Sequence, residues 1–277
     1  MKYWVSERGG LVDADLATVS VLDHGFTVAD GVFETLKVVE GVPFALRRHL
    51  DRLGRSAARI GLPVPDPLAV RAAAMATAQA NAADVGPLGR MRITYTAGVA
   101  PLGSDRGESG PTLVIAVAPT SPWPESAAVI TVGWPRNERS PLAGVKSTSY
   151  MENVLALAEA HRHGAGEALM PDTQGRLCEG TGSNVFLVLG GRLVTPGLGT
   201  GCLAGVTREL VLEWTDAVED DLPITALADA EEVFLTSSTR DVQPVHRCDH
   251  RGYRAPGAVT ARVLDIWREC AGADPDP

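Results

Sequence analysis

The stretch Gly144-Val-Lys-Ser-Thr-Ser-Tyr150 lies in the middle of the chain and contains one of its few lysines. The chain has 25 basic residues, but only Lys2, Lys37 and Lys146 are lysines, and the rest are arginines. An arginine guanidinium stays protonated and cannot form a Schiff base, whereas a desolvated lysine amine can. A lysine in a loop is most often a surface residue, so the role of Lys146 depends on what surrounds it.

The composition limits the classes of protein to be considered. Of 277 residues, 45% are hydrophobic and 21% are charged, which is typical of a soluble globular protein. The net charge of -9 argues against a nucleic-acid or anionic-membrane partner. The first residues lack the apolar run of a signal peptide, and no run reaches membrane-spanning length, so we expect a cytoplasmic protein. The four cysteines form no C-x-x-C pair, so we expect neither disulfides nor a metal site.

The first part of the chain predicts a small α+β domain over residues 1–119. Residues 28–39 alternate like a strand, with Val32, Glu34 and Leu36 on one face and Phe33 and Lys37 on the other. An amphipathic helix is predicted over 46–60 and an alanine-rich helix over 65–83, and further strands are predicted over 91–96 and 112–117. The Pro-rich stretch 120–124 reads as a linker.

A larger domain is predicted over residues 125–277, and we expect it to carry Lys146. It contains three short strand patterns (128–132, 185–189 and 232–236) and three helical patterns (151–163, 206–218 and 256–271). The glycine-rich run before the helix at 206 lets backbone N–H groups converge on an anion, although such a run is more often a flexible loop. Only residues 274–277 are expected to be disordered.

Several of these features suit a pyridoxal phosphate site. Such a site needs a carboxylate for the pyridine nitrogen, a helix start with hydroxyls and a basic residue for the phosphate, and arginines for substrate carboxylates. Glu179 lies in a turn of small residues that leads into a strand, and Gly205-Val206-Thr207 begins a helix. Ser237 to Thr239 supply hydroxyls after a strand. Taken alone, Glu179 would usually be a turn carboxylate, and the hydroxyls could simply cap the local backbone.

Together, these residues resemble the class IV aminotransferases, the fold-type IV pyridoxal-phosphate enzymes. The resemblance rests on six stretches that occur in the family's order: 23–34, 49–53, 144–146, 178–186, 203–208 and 236–245. It implies an α/β and α+β two-domain fold with the cofactor between the domains. It also implies a homodimer.

The resemblance assigns roles to individual positions. Lys146 matches the catalytic Schiff-base lysine, and Glu179 matches the carboxylate that pairs with the pyridine nitrogen. The remaining cofactor-binding positions are those expected at the phosphate: Arg52, Gly205, Val206, Thr207, Ser238 and Thr239. The substrate-binding positions are expected to be Arg92, Arg106, Phe33 and Lys37. Arg52 could also be one of several solvated arginines on its helix.

The reaction that the enzyme catalyses is the most specific of these expectations. Family members that act on D-amino acids have an Arg-x-His trap, and Leu102 and Ser104 stand in its place here. Arg106 is an additional cation for a dicarboxylate, and aromatic candidates for a branched-chain pocket are few. We therefore predict 4-amino-4-deoxychorismate lyase, which releases pyruvate and 4-aminobenzoate in folate biosynthesis. The alternative is a transaminase of branched-chain L-amino acids or, less favoured, of D-amino acids.

A remote alternative comes from a different class of protein. The run Gly199-Thr-Gly-Cys-Leu-Ala204 fits a dinucleotide-binding fingerprint, and acidic residues follow about 20 positions later, as an NAD-binding oxidoreductase would require. The strand pattern before the run is short, and no further alternating β-α units follow it.

Overall fold

A computed structural model describes all residues from Met1 to Pro277. The chain divides into two compact units. The first comprises residues 1–122, 145–149 and 275–277, and the second comprises 123–144 and 150–274. The chain passes from the first unit to the second between Pro122 and Trp123, inside the stretch predicted to be a linker.

The first unit is a six-stranded sheet with helices on one face. Its elements are β1 (Lys2–Val5), β2 (Gly10–Asp13), α1 (His24–Thr27), β3 (Gly31–Val39), β4 (Val42–Pro43), α2 (Leu46–Arg59), α3 (Pro67–Ala80), α4 (Ala82–Val85), β5 (Leu88–Thr96) and β6 (Thr112–Pro119). The strand order is β2-β1-β6-β5-β3-β4, and every pairing in it is antiparallel.

The core of the first unit follows from the two periodicities of its sequence. On α2, Leu46, Leu50, Leu53 and Ala57 recur at helical spacing, and all four are buried. They pack against the side chains on one face of β3, such as Leu36, in a single apolar cluster. The opposite face of the sheet carries Phe33 and Lys37.

Residues 145–149 belong to the first unit although the sequence pattern had placed Lys146 with the second. Ser147 stands opposite Val32 in a short antiparallel bridge, and the backbone N–H of Phe33 donates to the carbonyl of Lys146 at 2.9 Å. The Thr148 hydroxyl donates to the carbonyl of Ala29. The segment therefore extends the sheet along the edge of β3.

The second unit is built on a nine-stranded mixed sheet. Its elements are β7 (Ala127–Thr131), α5 (Met151–Arg162), β8 (Glu167–Pro171), β9 (Leu177–Gly180), β10 (Asn184–Leu189), β11 (Arg192–Thr195), α6 (Val206–Trp214), β12 (Val218–Glu219), β13 (Glu232–Ser237), β14 (Asp241–Cys248), β15 (Arg251–Gly252) and α7 (Ala258–Ala273). The order is β12-β11-β10-β13-β14-β7-β8-β9, with β15 added to β14.

Two local predictions are wrong for identifiable reasons. The helix predicted over 206–218 ends at Trp214, because the Thr215 hydroxyl donates to the Val211 carbonyl and accepts from the Ala217 N–H. The disorder predicted for residues 274–277 is wrong for residues 275–277, which belong to the first unit: the Asp276 carboxylate binds the Arg47 N–H and the Arg71 guanidinium there. Among the helices, none combines the length and the apolar character needed to cross a membrane.

Candidate active site

Lys146 is held at the edge of β3 by the backbone pairing described above. Its Nζ lies 4.6 Å from the centroid of the Phe33 ring. Phe33 is only 3% exposed, so the ring is a fixed support for the lysine side chain. An ammonium group over an aromatic face is attracted by the ring's quadrupole.

Phe33 also supports the guanidinium of Arg92, whose Cζ lies 3.5 Å from the same ring centroid. Arg92 Nε donates to the Thr94 hydroxyl at 3.3 Å. On this face of the sheet, Lys37 stands directly opposite Arg90 in the β3–β5 pairing. The structure therefore brings together three of the four predicted substrate-binding residues, Phe33, Lys37 and Arg92, and adds Arg90.

Arg106, the fourth predicted substrate-binding residue, is engaged elsewhere in the first unit. Its guanidinium binds both carboxylate oxygens of Asp30, at 2.6 and 2.7 Å, and the backbone carbonyls of Ile60 and Gly61. Hydrogen bonding to Asp30 raises the pKa of Arg106. These contacts connect the loop after β5 to the segments that follow α1 and α2, and the role of Arg106 as a substrate-binding residue stays a prediction.

Arg52 takes part in a buried network behind β3. Its Nε and Nη2 donate to the Glu34 carboxylate at 2.8 and 2.6 Å, and His49 Nδ1 lies 2.6 Å from Glu34 Oε2. His49 and Arg52 are three residues apart on α2, which places both on the helix face that meets β3. Glu34 is fully buried, and Arg52 is 5% exposed.

The charges of this network follow from its surroundings. Burial alone would raise the pKa of Glu34, but the Arg52 guanidinium and the hydrogen bonds from Arg52 and His49 lower it to about 2. Burial lowers the pKa of His49. The hydrogen bond and the charge of Glu34 act in the opposite direction, but with the positive charges of Arg52 and Lys146 the pKa stays below its ordinary value. The imidazole is therefore neutral near pH 7 and donates its Nδ1 proton to the carboxylate, so the ion pair is between Glu34 and Arg52.

Glu179 lies at the end of β9 in the second unit and is fixed by two groups. Its Oε2 accepts from the Leu203 backbone N–H at 2.9 Å, and its Oε1 lies 3.1 Å from Arg136 Nε. The second contact is an ion pair rather than a directed hydrogen bond, because the Arg136 N–H is not aligned with the oxygen. The carboxylate is thereby held at the mouth of the strand beside a fixed positive charge.

The start of α6 is tied to the same region of the second unit. Gly205 precedes the helix, and a Cβ at that position would lie 2.0 Å from Asn184 Oδ1. Asn184 Nδ2 donates to the Leu203 carbonyl, so Leu203 connects Glu179 to the helix start. Val206 and Thr207 are buried in the first turn, where backbone N–H groups lack partners within the helix. This arrangement suits an anion.

Ser238 and Thr239 lie in the turn between β13 and β14, which closes with Ser237 opposite Asp241. Both residues are partly accessible. Arg240, the next residue, has a side chain that is only 6% exposed and that lies over the Trp123 ring at 4.0 Å.

The sequence comparisons add an independent observation. A model of the family described as "Amino-transferase class IV" matches residues 31–248. The chain belongs to the class IV amino-transferase family. The predicted family, the predicted fold class and the predicted pyridoxal-phosphate enzyme class are therefore confirmed. The NAD-binding alternative is wrong, because β11 pairs antiparallel with β10 and its one parallel neighbour, β12, has two residues.

Relatives within the class IV family carry several different names. The chain is 33% identical over 275 residues to a Methanocaldococcus jannaschii protein provisionally assigned as a branched-chain-amino-acid aminotransferase, covering 95% of this chain and 94% of the relative. It is 29% identical to a D-alanine aminotransferase of Listeria innocua, covering 97% and 96%. A Legionella pneumophila structure provisionally assigned as 4-amino-4-deoxychorismate lyase aligns with a TM-score of 0.86, 25% identity, and coverage of 93% and 97%.

Sequence reasoning about this class IV enzyme missed several residues of the site. The sequence pattern marks Glu34 only as an alternating strand position, and it gives no indication of the contributions of Arg136 and Asn184. The His49-x-x-Arg52 spacing predicts a nearby acidic partner such as Glu34, because two basic groups on one buried helix face require an acid to compensate their charge. The ion pair of Arg136 with Glu179 spans 43 residues and has no local signature.

Proposed function

We propose that Lys146, Glu179 and the start of α6 hold pyridoxal phosphate. The donor set fits the group: Lys146 supplies an amine on a fixed aromatic support, and Glu179 supplies a carboxylate beside Arg136. Gly205 leaves room at the α6 start, where a side chain would collide with Asn184. Arg52, Ser238 and Thr239 are proposed to contact the phosphate as well.

The cofactor, when bound, supplies an electron sink for negative charge that develops at the substrate's α-carbon. Glu179 would supply the carboxylate that keeps the pyridine nitrogen protonated. Lys146 Nζ removes the α-proton of the substrate and can return it. Phe33 and the backbone pairing of residues 146–148 hold this amine in one place.

We propose that the reaction is the conversion of 4-amino-4-deoxychorismate to pyruvate and 4-aminobenzoate. The observation that carries the proposal is the cationic face of the first sheet, which we define as Lys37, Arg90 and Arg92 together with the Phe33 ring. The substrate has two carboxylates, whereas a branched-chain amino acid has one carboxylate and an apolar side chain. A guanidinium pairs with a carboxylate in a bidentate manner, and Arg92 shares its aromatic support with the catalytic lysine.

The charge distribution on this face favours an anionic ligand. Lys37 and Arg90 are a directly opposed cross-strand pair, and like charges in that arrangement destabilise a sheet by up to about 1 kcal/mol. A bound dicarboxylate removes that repulsion. Arg90 and Arg92 are both exposed, so their guanidiniums can be reached by a ligand.

The second candidate is transamination of branched-chain L-amino acids. It is favoured by the 33% identity to the M. jannaschii relative over nearly the whole chain. Transamination of D-amino acids is supported by the L. innocua relative, but Leu102 and Ser104 replace the Arg-x-His trap. A homodimer, a cytoplasmic location and a place in folate biosynthesis stay predictions.

Two parallel assays test the proposal. Purified enzyme receives 4-amino-4-deoxychorismate with no keto acid in one assay, and L-leucine with 2-oxoglutarate in the other. The lyase proposal expects pyruvate and 4-aminobenzoate in the first assay and at most slow glutamate formation in the second. Glutamate formation with no pyruvate would contradict the lyase proposal and establish the transaminase.

A further inference from the structure

A buried carboxylate in the second unit, Glu167, is not used by the chemistry proposed above. Glu167 begins β8, and its side chain is 0% exposed. A buried carboxylate is retained only where hydrogen bonds or opposite charges compensate its lost hydration. The contacts of Glu167 therefore indicate its role.

Most of these contacts go to the turn that follows Glu179. Oε1 accepts from the Thr181 backbone N–H at 2.8 Å and from the Thr181 hydroxyl, and Oε2 accepts from the Ser183 hydroxyl at 3.0 Å. A Cβ at Gly180 would lie 3.1 Å from Glu167 Cδ and 2.4 Å from Ser183 Oγ, so the turn is packed directly onto the carboxylate. Glu167 thus fixes the backbone next to Glu179 and Asn184.

A further contact goes to the turn that carries Ser238 and Thr239. Arg240 Nη2 donates to Glu167 Oε2 at 3.0 Å and to the Gly166 carbonyl at 3.3 Å. Arg240 Nη1 donates to Gln243 Oε1, and the guanidinium lies over Trp123. One carboxylate therefore connects two segments that are distant in sequence.

We propose that Glu167 is a positioning residue for the cofactor, and that Arg240 transmits its effect to the Ser238–Thr239 turn. The inference rests on the proposed cofactor roles of Glu179 and Ser238. Glu167 holds the Thr181–Ser183 turn so that Glu179 faces the pyridine nitrogen. Through Arg240, it sets the position of the hydroxyls that face the phosphate.

Two probes separate these two effects: pyridoxal phosphate, and pyridoxal, which lacks the phosphate. Binding of each to cofactor-free full-length protein is measured by equilibrium dialysis, together with the absorption spectrum of the bound probe. Glu167→Gln should weaken both probes by roughly 10- to 100-fold, the range typical of groups that orient a ligand's partners. Arg240→Met should weaken pyridoxal phosphate by a similar factor and leave pyridoxal unchanged.

The matched control is Glu232→Gln. Glu232 is also a buried carboxylate of the second unit, and it accepts from the Val259 and Thr260 N–H groups at the start of α7. It should lower thermal stability and leave the affinity for both probes and both spectra unchanged. Ser183→Ala, which removes one hydroxyl donor to Glu167, is a milder variant in case Glu167→Gln does not fold, and it should weaken both probes a few-fold.

The inference would be overturned, and the proposed function left intact, if Glu167→Gln bound both probes with wild-type affinities and spectra. If only Ser183→Ala folds, the same result in that variant would overturn the inference. Equal weakening by Glu232→Gln would also overturn it, because the effect would then be one of general stability. If the wild-type protein bound neither probe, the cofactor assignment and the inference would fail together.

Discussion

Replacing Glu34 with glutamine tests the buried network of the first unit. The carboxylate is 0% exposed and binds two nitrogen atoms of Arg52, and the substitution leaves that 5% exposed guanidinium without its counter-charge. The folded-state pKa of Glu34 is about 2, against an ordinary value of 4.5. At about 1.4 kcal/mol per pKa unit, this difference corresponds to roughly 3 kcal/mol of stabilisation of the charged form. Removal of one partner of a buried pair costs about 3–5 kcal/mol, which agrees.

The pH dependence has a definite sign. Because the folded-state pKa is lowered, the stabilisation is fully present above pH 4.5 and is lost as the pH falls towards 2. The wild-type protein should lose roughly 2 kcal/mol from this group between pH 7 and pH 3, and the variant, which lacks the group, should not.

Urea unfolding followed by circular dichroism measures both effects. At pH 7, Glu34→Gln should lower the free energy of unfolding by about 3 kcal/mol, and the gap to wild type should narrow towards pH 3. Glu40→Gln is the matched control, because Glu40 is an exposed acid directly after the same strand, and it should change stability by less than about 0.5 kcal/mol. A gap below about 1 kcal/mol at pH 7, or one that does not narrow with falling pH, would refute the reasoning.

Four further substitutions test the proposed active site. Lys146→Ala should abolish turnover in a steady-state assay, while weak cofactor binding survives in equilibrium dialysis. Lys2→Ala, at an exposed lysine, is the control and should keep wild-type turnover. Near-wild-type turnover in Lys146→Ala would contradict the proposed mechanism. Glu179→Gln should lower kcat by roughly 100-fold or more, because the ring loses its counter-charge, and an unchanged kcat would reduce Glu179 to a turn residue. Gly205→Ala should weaken cofactor affinity at least about 10-fold, because the added methyl group would collide with Asn184. Gly199→Ala is the control and should leave the affinity unchanged, because a Cβ at Gly199 would meet open space. Equal cofactor affinities in these two variants would contradict an anion site at the start of α6. Arg92→Gln should raise the KM for 4-amino-4-deoxychorismate about 10-fold or more and the KM for L-leucine by a smaller factor. An equal increase of both KM values would count against a dicarboxylate substrate.

The elements that are long and periodic could be predicted from the sequence. Helix α2 extends over Leu46–Arg59 where the pattern 46–60 predicted it, because its apolar stripe is wide enough to define one buried face. Strand β8 was missed because Glu167–Pro171 is buried along nearly its whole length and shows no alternation.

The position of Lys146 shows where local patterns stop being informative. The residue was singled out from composition, and its family role from neighbouring motifs. Its pairing with Phe33 spans 113 residues and is decided by which strand edge is open in the folded sheet. The ion pair of Arg106 with Asp30 is another contact without a local signature, because the two residues are 76 positions apart in the sequence.

The proposed lyase reaction is tested most directly by turnover of 4-amino-4-deoxychorismate in the absence of a keto acid. Purified enzyme with bound cofactor is mixed with excess 4-amino-4-deoxychorismate, and pyruvate and 4-aminobenzoate are counted per active site. A lyase needs no acceptor, so we expect many equivalents of both products in equal amounts. The absence of both products from this mixture, together with glutamate formation from L-leucine and 2-oxoglutarate by the same preparation, would contradict the lyase proposal and identify a transaminase.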